Sequence, residues 1–112
     1  DPDIGVNATA VRVPVFYGHS EAIHLETRRE ISVERVRELL LDAPGVVFMD
    51  DEELAHPTAS THASVKDPVY VVRLRRDISN PRGIDLWVVA DIIRKGAALN
   101  AVQIMEHLEK ND

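Results

Sequence analysis

The chain has 112 residues, of which 45% are apolar and 29% charged, with a net charge of −6 and no cysteine. That length holds one domain or less with a modest core, and no apolar run is long enough to span a bilayer as a helix. Interspersed acids and bases argue against a nucleic-acid surface, which wants a basic patch, and the lack of cysteine excludes disulfides, thiolate zinc sites and cysteine catalysis from these residues.

The opening D-P-D-I-G-V-N carries neither the basic region nor the apolar core of a signal peptide, so a cytoplasmic chain is expected. The absence of an initiator methionine fits a processed piece. Residues 8–16 read as a first strand, with Val11, Val13 and Val15 alternating with Arg12 and Pro14. The stretch from Arg12 to Ser20, R-V-P-V-F-Y-G-H-S, holds two residues of chemical interest. Arginine offers a planar, permanently charged fork that suits a carboxylate or phosphate. Histidine can give and take a proton near neutrality. Seven extended residues span roughly 23 Å, so Arg12 and His19 can serve one small anion only if the chain bends between them. Pro14 and Gly18 are the places for that bend. Spacing alone favours the plainer reading, a surface arginine and a turn histidine.

Residues 21–28 predict a second strand, with Ile23, Leu25 and Thr27 on one face and Ala22, His24, Glu26 and Arg28 on the other. His24 is expected to be solvated or lightly paired. The spacing of Val33, Val36, Leu40 and Ala43 predicts a helix over 32–43, capped by Ser32 and ended by Pro44-Gly45. V-V-F-M at 46–49 reads as a short buried strand. The contiguous acids D-D-E-E at 50–53 cannot all converge on one cation and read as a solvated loop. Residues 54–68 are loop-like; His56 and His62 lack a third ligand at metal spacing, so no metal site is expected.

Residues 69–77 predict a third strand, placing Val69, Val71, Arg73 and Arg75 on one face and Tyr70, Val72, Leu74 and Arg76 on the other. The arginines could clamp a phosphate; a charged strand edge is the slightly preferred reading. N-P-R-G at 80–83 is a turn leading into a fourth strand at 84–90, where Trp87 is expected to pack. From Asp91, a good N-cap, the period becomes helical, with a stripe of Ala98, Val102, Met105 and Leu108. Gly96 inside this helix costs about 1 kcal/mol relative to alanine, so a packing or ligand reason is expected. The pattern as a whole predicts an α+β fold, a mostly antiparallel sheet with two helices packed on one face.

Three stretches together resemble the C-terminal part of bacterial aspartate-semialdehyde dehydrogenases: A-V-R-V-P-V-F-Y-G-H-S-E-A, V-V-R-L-R-R-D at 71–77, and D-L-W-V-V-A-D-I-I-R-K-G-A-A-L-N-A-V-Q-I at 85–104. They stand in the family's order and cover nearly all of the chain. The resemblance implies that residues 1–112 are part of a catalytic and dimerisation domain, and that 91–112 pack back on a nucleotide-binding domain outside this chain. It implies an oxidoreductase of amino-acid biosynthesis that reduces aspartyl phosphate with NADPH to aspartate semialdehyde and phosphate. NADP would be held mainly by the outside part, and the partners would be these small molecules and a second copy in a homodimer. Arg12 would bind the substrate carboxylate and His19 would act as general acid/base. The family's cysteine nucleophile has no counterpart here, so the 112 residues alone are expected to be inactive. The P-T at 57–58 would lie near a subunit contact. Two departures bear on function. Val72 replaces a usual glycine, and Ile92 replaces an Asn or Gln that meets the nicotinamide. They favour a competing reading, a non-catalytic assembly module of the same fold. A relative of the N-acetylglutamyl-phosphate reductases is a third.

Overall fold

Helix α1 (Val33–Leu41) forms where the sequence caps it and buries its stripe. Ser32 Oγ accepts from the N–H of Arg35 at 3.1 Å, and Glu34 stands in the positive first turn. In the computed structural model, which describes residues 2–49 and 58–110, the apolar side of α1 packs on one face of a four-stranded sheet. The strands are β1 (His19–Glu26), β2 (Val46–Phe48), β3 (Val69–Arg76) and β4 (Gly83–Ala90), in the order β1-β4-β3-β2. β4 pairs antiparallel with both β1 and β3, and β2 runs parallel to β3. The fold is α+β, as the patterns predict.

The sheet has two unlike faces. Val71, Leu74, Ile84 and Leu86 meet Val33, Val36 and Leu40 of α1 and form the larger core. On the opposite face a short π-helical segment, Ala59–Ala63, covers one end, where Ala63, Tyr70 and Val89 pack with Met49 and Trp87. Trp87 is thus a packing residue, as expected. His62 turns its ring edge to Tyr70, with centroids 6.0 Å apart, and bonds Thr61 Oγ1. His56 and the acids at 50–53 lie outside the described residues. Among the described residues no cluster of three or more potential metal ligands occurs.

Three expectations are corrected. Residues 8–16 form no strand. Val11, Val13 and Val15 are exposed, no strand of the sheet pairs with them, and a tight turn with Val15 N–H donating to Val13 O breaks the extended run. The alternation in β3 fails after Val72. Val72 pairs with Trp87 and Arg75 with Asp85, so β3 advances three residues while β4 moves two. The extra residue is a bulge at Arg73, held at φ 58°. It moves Leu74 to the face of Val71, and Arg75 to the face of Val72. Nor is β3 wholly an edge: β2 covers Val69 to Val71, and only the arginine-rich half beyond runs without that neighbour. Finally, the two α-helices do not share one face of the sheet: among the described residues α1 is the α-helix seated on it. Helix α2 (Leu99–Glu109) packs mainly against the π-helical turn Arg94–Ala98 that precedes it, and none of its residues is buried. No helix among the described residues is long and apolar enough to cross a membrane.

Candidate functional site

The chain bends where Pro14 and Gly18 allow it. Pro14 sits in the tight turn between Val13 and Val15, and Gly18 adopts φ 97°, a left-handed conformation that suits glycine. Directly after it His19 begins β1, paired opposite Ala90 at the end of β4. Arg12 lies upstream in the irregular segment, exposed, and makes no hydrogen bond or ion pair with another described residue. The structure therefore places the two candidates on one bent segment without joining them. Phe16 and Tyr17, between them in sequence, line a shallow depression with Ser60 and Ser64 of the π-helical segment and the loop after it.

The turn after β4 completes the surroundings of His19. Asp91, 4% exposed, accepts three backbone hydrogen bonds at 2.8 Å: from Ile93 and Arg94 at Oδ1, and from Val65 at Oδ2. These bonds, that of Arg94 foremost and then Val65, hold its carboxyl below the usual carboxylate range despite the opposing effect of burial. The Asp91 carbonyl oxygen in turn accepts from Gly96 N–H at 2.9 Å, closing the wide turn. That turn brings Gly96 against the imidazole of His19. Asp91 accepts the N–H groups of the turn after it, as a capping aspartate does, but the helix expected from Asp91 is a turn and the π-helical segment Arg94–Ala98, with α2 starting at Leu99. A glycine inside a helical pattern signals that position 96 has a packing or ligand reason. The contact with His19 and the bond to Val65 are not readable, because both cross the fold.

The open end of the second face carries a polar cluster. His24 Nδ1 lies 3.0 Å from Asp85 Oδ1, and its Nε2 lies 3.8 Å from Asp77. Arg75 reaches Asp85 at 3.6 Å, and Arg82 bonds Glu26 at 2.6 Å. The hydrogen bond with Asp85 is the main reason the imidazole pKa is raised, with Asp77 and Glu26 adding to it. His24 is paired, as its position between Ala22 and Glu26 suggested. Arg76 reaches Glu30 at 3.4 Å, the Ile31 carbonyl at 3.1 Å and the Pro81 carbonyl. Arg75 and Arg76 thus act in the framework, in line with the structural reading. Val72 is 1% exposed and fully packed. Ile92 is exposed and offers an apolar side chain only.

Comparisons with known proteins bear on these observations. The family model for the dimerisation domain of semialdehyde dehydrogenases matches residues 1–95. Aspartate-semialdehyde dehydrogenase of Shewanella sp. (strain DB6705) is 59% identical over 108 residues, which are 96% of this chain and 32% of that protein. The enzyme of the same name from Legionella pneumophila is 54% identical over 111 residues, 98% of this chain and 32% of that one. The crystal structure of aspartate semialdehyde dehydrogenase II from Vibrio cholerae, complexed with ASA, superposes with a TM-score of 0.78 at 52% identity. It covers 88% of this chain and 29% of the other. The chain thus spans about a third of the length of the relatives it matches. With the family model and the fold in agreement, the chain belongs to the semialdehyde dehydrogenase dimerisation-domain family.

Proposed function

We propose that this chain is the C-terminal portion of an NADP-dependent aspartate-semialdehyde dehydrogenase. The observation that carries this reading is 59% identity over 96% of the chain to a protein of that name. In this role Arg12 binds the substrate carboxylate, and the bend at Pro14 and Gly18 allows its segment to face His19. His19 is the general acid/base. The nucleophile is a cysteine outside these residues, whose thiolate divides the acyl transfer into two easier steps. The 112 residues alone are therefore inactive.

NADPH supplies the hydride. Where the family places an Asn or Gln against the nicotinamide, Ile92 has no side-chain hydrogen bond to give, and the Asp91 carboxylate is taken up by three backbone N–H groups. This segment does not fit a side-chain contact with the cofactor, whose binding falls to the outside part. The exposed stripe of Val102, Met105 and Leu108 on α2 suits packing on that part. The protein works as a cytoplasmic homodimer, in keeping with the dimerisation-domain family.

A second reading, a non-catalytic assembly module, is favoured by the packed Val72 and by Ile92. Steady-state turnover of aspartate semialdehyde with NADP and phosphate, in the full-length protein, separates the two. Under the enzyme reading, His19→Ala lowers kcat by roughly 10²- to 10⁴-fold, and Arg12→Leu raises KM. A full-length protein with no turnover in wild type would overturn the enzyme reading.

A further inference from the structure

Gly96 stands in a helical turn without needing the conformational freedom of glycine, for its φ is not positive, unlike that of Gly18 and Gly45. Its reason is steric. A Cβ on Gly96 would lie 3.4 Å from both Cδ2 and Nε2 of His19, and 3.3 Å from the Asp91 carbonyl oxygen. We infer that Gly96 is a positioning residue for His19: its bare backbone seats the imidazole against the turn and leaves a methyl-sized space beside Nε2 for the group that exchanges a proton there. This rests on the acid/base reading of His19 given above.

Both walls of the seat are fixed. On one side His19 is held in β1 opposite Ala90. On the other, the turn is closed by the Gly96-to-Asp91 hydrogen bond and anchored by three backbone bonds to the Asp91 carboxylate. An alanine methyl at position 96 stands in van der Waals contact with the ring and fills the space beside Nε2. A larger side chain is accommodated by the part that can move, the exposed imidazole, which it pushes from its seat. Acid/base transfer needs a hydrogen-bond approach to the ring nitrogen, so a small displacement acts on the chemical step more than on substrate binding. Substrate binding belongs to Arg12, upstream of the Pro14 and Gly18 bend and away from position 96.

The test uses the full-length protein carrying Gly96→Ala and Gly96→Val, with His19→Ala beside them. Alanine is a better helix former than glycine, so Gly96→Ala keeps the test alive even where the bulkier valine prevents folding. The expected result is a fall in kcat on the order of tenfold for Gly96→Ala and more for Gly96→Val. KM for aspartate semialdehyde should stay within about twofold. The His19 ring resonances in the NMR spectrum should shift while those of His24 stay in place. Unchanged kcat in both variants, or a fall in kcat with unmoved His19 resonances, would overturn the inference and leave the acid/base reading standing. Wild-type turnover in His19→Ala would overturn both.

Discussion

Asp91 reaches across the fold to Val65: its Oδ2 accepts the Val65 N–H at 2.8 Å, and Val65 sits at φ 61°, a left-handed conformation that β-branched residues avoid. One carboxylate thus fixes the loop after the π-helical segment and the turn that leads into α2. A strained residue persists when its surroundings over-determine it, and this bond is one of the determinants.

Asp91→Ala removes the acceptor for three backbone N–H groups. Losing a helix cap costs about 1 kcal/mol. Leaving the part-buried Val65 N–H without its partner adds ~1–3 kcal/mol. The same carboxyl has a depressed pKa, so its stabilisation is present above the unfolded-state value of 3.8 and is lost as pH falls through the lower folded value. Thermal melting from neutral pH downward should show the gap between wild type and Asp91→Ala narrowing below pH 3.8. An equal gap at every pH would contradict the assignment.

Gly83→Ala should destabilise sharply. A Cβ there would meet Asp77 Cβ at 2.5 Å and Oδ2 at 2.9 Å, closer than packing allows. Asp77 cannot easily withdraw. Its N–H donates to the Gly83 carbonyl at 3.0 Å, and its Oδ1 accepts from both the N–H and the hydroxyl of Ser79. Overpacking of this kind costs about 1–3 kcal/mol, read as a lower denaturant midpoint. A midpoint equal to wild type would show that the β3–β4 loop yields.

Val72 is among the most deeply buried side chains. Val72→Ala should cost about 2 kcal/mol, from lost apolar burial and the cavity left behind. Val72→Gly should cost about 1 kcal/mol more, through the flexibility of glycine in a strand. If Val72→Gly proved as stable as wild type, the valine would be a passive occupant of a space built for glycine.

His24 gives the opposite pH sign to Asp91. Its pKa is raised, first by the hydrogen bond with Asp85 and then by the charges of Asp85, Asp77 and Glu26. Burial opposes part of this, and Arg75 shares the same Asp85 from β3 at 3.6 Å. The stabilisation is fully present below the unfolded value of 6.5 and is lost as pH rises through the higher folded value. Melting temperatures at about pH 6 and about pH 9 should differ less in Asp85→Asn than in wild type. An identical difference would place the coupling elsewhere.

The sequence alone determined the parts of this protein that rest on near neighbours. Ser32 caps the helix that Val33, Val36 and Leu40 turn toward the sheet, because capping and the 3.6-residue period act within a few residues. The alternation around Ile23 and Leu25, the turn before Gly83 and the bend at Gly18 were legible for the same reason, and three ordered motifs carried the family. Tertiary structure decided the rest. Whether Val11, Val13 and Val15 form a strand depends on a partner's backbone, which no local pattern supplies. The bulge at Arg73 appears only against the register of β4, and it alone puts Leu74 into the core beside Val71. The seat of His19 on Gly96 and the grip of Asp91 on Val65 join residues far apart in the chain. Their geometry exists only once β1, β4 and the turn after them have been packed together.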